Sequence, residues 1–284
     1  MVTTNKAAKD IKKWLDTRYT YLAVGRDGTA TDQTQESLQQ EVFRKIQAAS
    51  TSLTDTKFKK EIIVNSAESN GPTFKELAIT KGNSMTIEDF DSITDWTADG
   101  DCVSSVDTSV SLYTGGSSTK LAITDNTHTS TMTSTSPIGD LSDYTGVTSG
   151  ATTQGWMTLY VYPSDTTQLN ATDAIKIRIG SSSSDYLEAT IQASDLTSNT
   201  WNGILIDMED GSNVTITGTP NWENISYRYY SVSTTGNCEV YFDNWIISGL
   251  ILCRVVVPAI EKTNLKEVGY EIDFEVINTP GVII

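Results

Sequence analysis

The chain has 284 residues, of which 38% are apolar, and a net charge of −16. That length suits one large or two ordinary domains, and counting the 19 glycines with the apolar set leaves enough material for a core. The acidic balance excludes a nucleic-acid partner, which needs a basic surface, and no apolar run reaches the ~18 residues that would suggest membrane insertion.

In chain order, the first six residues lack the apolar centre of a signal peptide, so no secretion signal is expected. The sequons at Asn170, Asn213 and Asn224 are then read as chance matches in a Ser/Thr/Asn-rich chain. Ala7, Ala8, Ile11, Trp14, Leu15 and Arg18, with lysines around them, predict an amphipathic helix over residues 5–18. Residues 19–24 read as a strand ended by the turn Gly25-Arg26-Asp27-Gly28. Leu38, Val42 and Ile46 recur every four residues and predict a second helix over 34–46, capped near Thr34 and Ser37. Strands follow at 58–65 and 73–80, then a loop at Lys81-Gly82-Asn83-Ser84.

Residues 87–249 have a different character. Short alternating runs separated by Ser, Thr, Asn, Asp and Gly predict an all-β sandwich. This stretch holds 21 acidic and 4 basic residues, a balance of −17, while the rest holds 15 and 16. A near-continuous apolar strand at 250–257, ended by Pro258, and an alternating strand at 268–277 complete the chain. Neither flank has enough strands for a stable sheet alone. The chain is therefore expected to be mostly β, with a sandwich at 86–249 inserted into a small α+β host domain made of 1–85 and 250–284, whose sheet the returning strands complete. Cys102, Cys238 and Cys253 are odd in number and form no CxxC pattern, so free thiols are expected.

The flanks carry short motifs in order: Ala23-Val24-Gly25 with Gly28-Thr29-Ala30, Leu38 with Glu41-Val42 and Arg44, Phe74-Lys75-Glu76, then Arg254, Pro258, Ile260 and Lys262-Thr263. This series resembles tail-fibre or baseplate-type structural proteins of tailed viruses. The resemblance implies a virion location after assembly in the host cytoplasm, other virion proteins as partners, and a homo-oligomer such as a trimer. The insertion of roughly 160 residues between Glu76 and Arg254 departs from that pattern.

The ends of the insert, Glu88-Asp89-Phe90-Asp91 with Trp96 and Tyr241-Phe242-Asp243-Asn244, resemble a jelly-roll carbohydrate-binding module. The resemblance implies that the first and last strands pair and that Asp89, Asp91 and Asp243 hold a structural Ca²⁺, a hard cation that takes oxygen ligands. Alternation places Trp156, Tyr160 and Tyr162 on one strand face and Lys176 and Arg178 on an outward one. Together they are the expected sugar platform for glycans on the host-cell surface, since flat rings stack on a pyranose and charged groups bond its rim. The single histidine, His128, lies in a Thr/Ser-rich run, and no catalytic motif occurs, so no enzyme is expected. The expected function is a virion structural protein with a projecting glycan-contacting sandwich. The alternatives are a capsid decoration or turret protein, or an accessory module of a secreted glycan-degrading system.

Overall fold

The computed structural model describes residues 5–30, 38, 40–81, 84–100, 102–124, 129–150, 155–209, 212–248 and 251–275. The helix α1 (Asn5–Arg18) is followed by β1 (Tyr21–Gly25), β2 (Glu41–Ile46), β3 (Ala49–Ser52), β4 (Lys57–Val64) and β5 (Thr73–Thr80). Next come β6 (Met85–Glu88), β7 (Thr97–Asp99), β8 (Cys102–Asp107), β9 (Ser118–Ile123), β10 (Thr129–Ser134), β11 (Trp156–Pro163), β12 (Ile175–Ser182) and β13 (Asp185–Ile191). The chain continues through β14 (Asn202–Asp207), β15 (Val214–Thr217), β16 (Tyr227–Ser233), β17 (Cys238–Ser248), β18 (Ile251–Glu261) and β19 (Val268–Glu275). The chain divides into two compact units, one from residues 1–84 with 249–284 and the other from Met85–Ser248. None of the described helices is long and apolar enough to cross a membrane.

In the first unit α1 buries Ala8, Lys12 and Leu15 on one face, and Lys12 Nζ donates to Ser52 Oγ at 2.5 Å. Two antiparallel sheets form, β18-β5-β1-β2 and β19-β4-β3, where the sequence suggested one. Each returning strand completes a sheet begun before the insertion: β18 pairs with β5 and β19 with β4. The expected second helix is a correction: Glu41–Ile46 is a strand paired with β1. A spacing of four is also an even spacing, so Leu38, Val42 and Ile46 satisfy the strand period as well as the helical one. Buried Val42 and Arg44 alternate with the less buried Phe43 and Lys45, as a strand requires. Thr34 and Ser37 lie outside the described residues. Pro258 does not end its strand either. The pairing of β18 with β5 shifts register between Val256 and Ile260, and such an irregularity accommodates a residue with no N–H to donate.

Motif residues of the flanks form two buried ionic groups, Arg254 with Glu76 and Asp27, and Arg44 with Glu41. Arg254 on β18 donates from Nε to Glu76 Oε2 at 2.6 Å and from a terminal nitrogen to Asp27 Oδ2 at 2.9 Å. Glu76 Oε1 also accepts from the Gln40 N–H at 2.9 Å. Arg44 pairs with Glu41 in two hydrogen bonds, of 2.8 and 2.6 Å, both side chains fully buried. Gly25 is glycine for this reason: a Cβ there would lie 2.1 Å from Glu76 Oε1.

The second unit is a jelly-roll β-sandwich. One sheet runs β15-β13-β12-β16-β10-β7, and the other β14-β11-β17-β9-β8 with β6 also paired to β17. The first and last strands are thus neighbours, Met85 opposite Ile247. Met157, Leu159 and Val161 on β11 face Ile175, Ile177 and Ile179 on β12 in a single apolar core. In β17 the inward set changes phase, from Val240 and Phe242 to Trp245 and Ile247. A bulge opposite Leu159, with Asn244 at φ 47°, absorbs the extra residue. Tyr230 packs against Phe90, Trp96 and Phe242 with ring centroids 4.5–5.6 Å apart. Glu88 joins the sheets at one end, accepting from Trp96 Nε1 at 3.1 Å and from Arg228 on β16.

Removing the guanidinium in Arg254→Ala deprives buried Glu76 of a cation, which for a buried pair costs about 3–5 kcal/mol. Chemical denaturation is expected to show a loss of that size. A change below about 1 kcal/mol would show that the network contributes little.

Candidate functional site

The structure separates the expected sugar platform. Trp156, Tyr160 and Tyr162 lie on β11 in one sheet, whereas Lys176 and Arg178 lie on β12 in the other, pointing away from the shared core on the opposite side. Tyr160 is fully buried, so its ring offers no surface to a ligand. Trp156, opposite Ser248, stands six residues along the strand from Tyr162, about 20 Å at strand rise. The five residues therefore do not form one platform. Alternation assigns a residue to a face of its own strand, but it does not say which sheet that strand joins.

Around Arg178 the structure builds a different surface. Arg178 pairs across the strands with Glu188 on β13 and Tyr229 on β16. Its guanidinium carbon lies 4.6 Å from the Tyr186 ring centroid and 4.4 Å from that of Tyr229, stacked between two π faces. Nε donates to Glu188 Oε2 at 2.6 Å, which neutralises the cation and fixes its plane. Tyr186 and Tyr227 meet over Gly180, with ring centroids 6.0 Å apart. A Cβ on Gly180 would lie 2.6 Å from the Tyr186 Cα, so glycine lets these strands and rings close up. Burial pushes the Tyr227 hydroxyl above its usual range against the pull of Arg178. Lys176 continues the row, half-buried and 3.7 Å from Asp173. The result is a patch of three tyrosines around a charge-compensated arginine, on the outer face of a sheet.

Sequence reasoning placed Lys176 and Arg178 on an outward face and missed Tyr186 and Glu188. Tyr227 and Tyr229 shared a strand face but had no assigned role. The available signal was cross-strand: β12 and β13 form a hairpin, so a turn at Ser183-Ser184 sets Arg178 against Glu188.

The expected calcium ligands are close enough to interact electrostatically but are not gathered into a carboxylate cage. Asp89 Oδ1 accepts from the Asp91 N–H at 3.1 Å. Asp91 Oδ1 accepts from Ser117 N and Oγ at 3.2 and 2.6 Å. Asp243 Oδ2 accepts from the Leu112 N–H at 2.9 Å. Among the described residues no three Asp, Glu, His or Cys side chains are grouped to hold an ion. Asp243 is the buried member of the three, Asp89 and Asp91 being exposed. Burial, opposed by the Leu112 N–H and reinforced by the charges of Asp91 and Asp89, pushes its carboxyl up to about 7. The Asn244 side-chain nitrogen beside it is buried without a partner. His128 lies outside the described residues. Cys102, Cys238 and Cys253 are free.

No family model matches the sequence, and no curated protein matches it. Among solved structures, the chain is similar to a family 11 carbohydrate-binding module from Clostridium thermocellum, at 14% identity and a TM-score of 0.38, over 58% of this chain and 95% of that one. It is likewise similar to the family 30 carbohydrate-binding module of a Clostridium thermocellum cellulosomal cellulase, at 14% identity and 0.41, over 59% and 98%. A third similar structure is the enzymatically active domain of tailspike protein 4 from bacteriophage CBA120, at 16% identity and 0.34, over 57% of this chain and 20% of that one. Likeness at this level says nothing about ligand, activity or partner.

Proposed function

We propose that this chain is a glycan-binding structural protein of a tailed virus, in which the sandwich contacts sugar and the first unit anchors it to the particle. The observation that carries the sugar reading is the Tyr186–Arg178–Tyr229 stack with Tyr227 beside it on an outer sheet face. The half-buried rings of Tyr186 and Tyr229, with a few fixed polar groups, suit a pyranose: rings take its C–H face, and phenols and the Arg–Glu pair bond its hydroxyls. The particle reading is supported by the flank motifs that resemble tail-fibre and baseplate proteins, of which Arg254 and Glu76, and Arg44 and Glu41, form buried ion pairs in the first unit. Repeated copies on a particle would raise weak single-site affinity by avidity. No catalytic constellation enters the reading. An accessory module of a glycan-degrading system uses the same sandwich, and a free protein absent from purified particles would favour it.

A glycan array probed with the full chain is expected to give specific binding that falls at least tenfold in Tyr229→Ala, about 1.4 kcal/mol. Binding unaltered by both Tyr229→Ala and Arg178→Ala would contradict the site.

Calcium is part of the proposal, with Asp243 as its one buried carboxylate and neighbouring oxygens completing the shell. Two signs are expected in thermal unfolding. Added calcium raises the melting temperature of the chelated protein. Asp243→Asn removes a buried charge, so it matches or exceeds the native chain in chelator and falls below it in calcium. An unchanged melting temperature on adding calcium would reject a bound ion.

A further inference from the structure

We infer that the sandwich carries a second saccharide-contact strip on the opposite sheet, suited to a neutral pyranose chain, which makes the module two-faced. It is formed by Trp201, Tyr162, Tyr241, Lys120 and Glu239, and it goes beyond the Arg178 face without depending on it.

The strip follows from strand register. Tyr162 on β11 lies directly opposite Tyr241 on β17, and Tyr241 opposite Lys120 on β9. Asn202 opposes Val161, so Trp201 falls beside Tyr162 on the other flank. Three of these side chains thus stand in one row across adjacent strands, spaced by the ~4.8 Å between strands, and Trp201 joins the row just ahead of β14. The Tyr162 ring centroid is 5.7 Å from that of Trp201 and 5.6 Å from that of Tyr241, both edge-to-face. Lys120 Nζ sits 5.6 Å from the Tyr241 ring centroid. Trp201 and Tyr162 are half-buried, so their rings keep solvent-facing surface, whereas Tyr241 is buried and braces Tyr162 edge-on.

The row ends in a polar clamp. Lys120 Nζ is 2.5 Å from Glu239 Oε1, and the Tyr241 hydroxyl donates to Glu239 Oε2 at 2.8 Å. Val103, on the same outer face, is 65% exposed and extends the apolar edge. Paired cation and carboxylate side by side, with no net charge, match adjacent hydroxyls of a neutral sugar better than a carboxylate or sulfate. The −17 balance of residues 87–249 further disfavours an anionic glycan. The strip lies at the end of β11 remote from Trp156, and it is Trp156 that stands beside Ser248, where the chain leaves the unit. Because Val161 and Ile177 face one common core, Tyr162 and Arg178 point outward on opposite sides of the sandwich. Two glycan strands can then be held on the two faces of one module, which would crosslink them.

Calorimetric titration of the full chain with neutral hexasaccharides of glucose, galactose and mannose, and with oligogalacturonate as the anionic control, tests this. Expected is a stoichiometry of two for a neutral hexasaccharide, no oligogalacturonate binding, and a stoichiometry of one in Trp201→Ala and Tyr162→Ala. Trp201→Phe keeps a ring and is expected to retain the site, which separates loss of contact from loss of fold. A residual stoichiometry of one in Tyr229→Ala leaves the strip standing, as does binding at the strip alone. A native stoichiometry of one that Tyr229→Ala abolishes and Trp201→Ala leaves intact overturns the strip and spares the Arg178 face. Absence of any neutral-sugar binding overturns both.

Discussion

The contact between Glu76 and Arg254 is the constraint on which the rest depends. These two side chains are 178 positions apart, yet their strands are neighbours and their charges meet at 2.6 Å in a buried setting. The pair ties the strand before the insertion to the strand after it. A loop of that length adds only a slowly growing entropic cost to closure, so a sandwich can occupy it provided the base is specified strongly. Burying charges is costly in itself. The pairs Arg254–Glu76 and Arg254–Asp27 offset that cost only with their strands in register, since a slip would separate the partners.

A base fixed in this way leaves the sandwich free to specialise. Its core is ordinary, with alternate strand positions of two sheets meeting in apolar and aromatic packing. The outward positions are unusual for an acidic surface, because each sheet shows rings associated with a compensated cation. On one side Arg178 lies between Tyr186 and Tyr229 with Glu188 on its edge. On the other Lys120 lies by Tyr241 with Glu239 on its flank. Both arrangements are locally neutral. That suits polyols, and it suits neither phosphate nor an extended polyanion.

Much of this was legible in the residues. The helix over 5–18 and the strand at 73–80 have the bounds that periodicity gave, and the alternation of Tyr270 and Ile272 with Glu271 and Asp273 reports the buried and exposed faces of β19. The segment 34–46 was not legible, because a four-residue spacing fits both periods and pairing with β1 decides between them. The site was legible only by halves. Within-strand alternation found outward Lys176, Arg178 and Tyr162. Tyr186 reaches Arg178 through the local β12–β13 hairpin, but the pairing of β12 with β16 is a non-local fact, as is the sheet that β11 joins, and these bring Tyr229 to Arg178 and put Tyr162 on the far side. The bulge at Asn244 is likewise invisible in sequence, and it reverses the inward set of β17 just after Asp243.

The most direct test of the central claim, that outward aromatic faces of the sandwich bind sugar, is a crystal structure of the full chain soaked with a neutral hexasaccharide that it binds in solution. The account predicts pyranose density over Tyr229 and Arg178, with ring stacking on tyrosine and hydroxyls bonded to the Arg178–Glu188 pair. Sugar density confined to loops or to the surface of the first unit, with both sheet faces bare at saturating sugar, would contradict it.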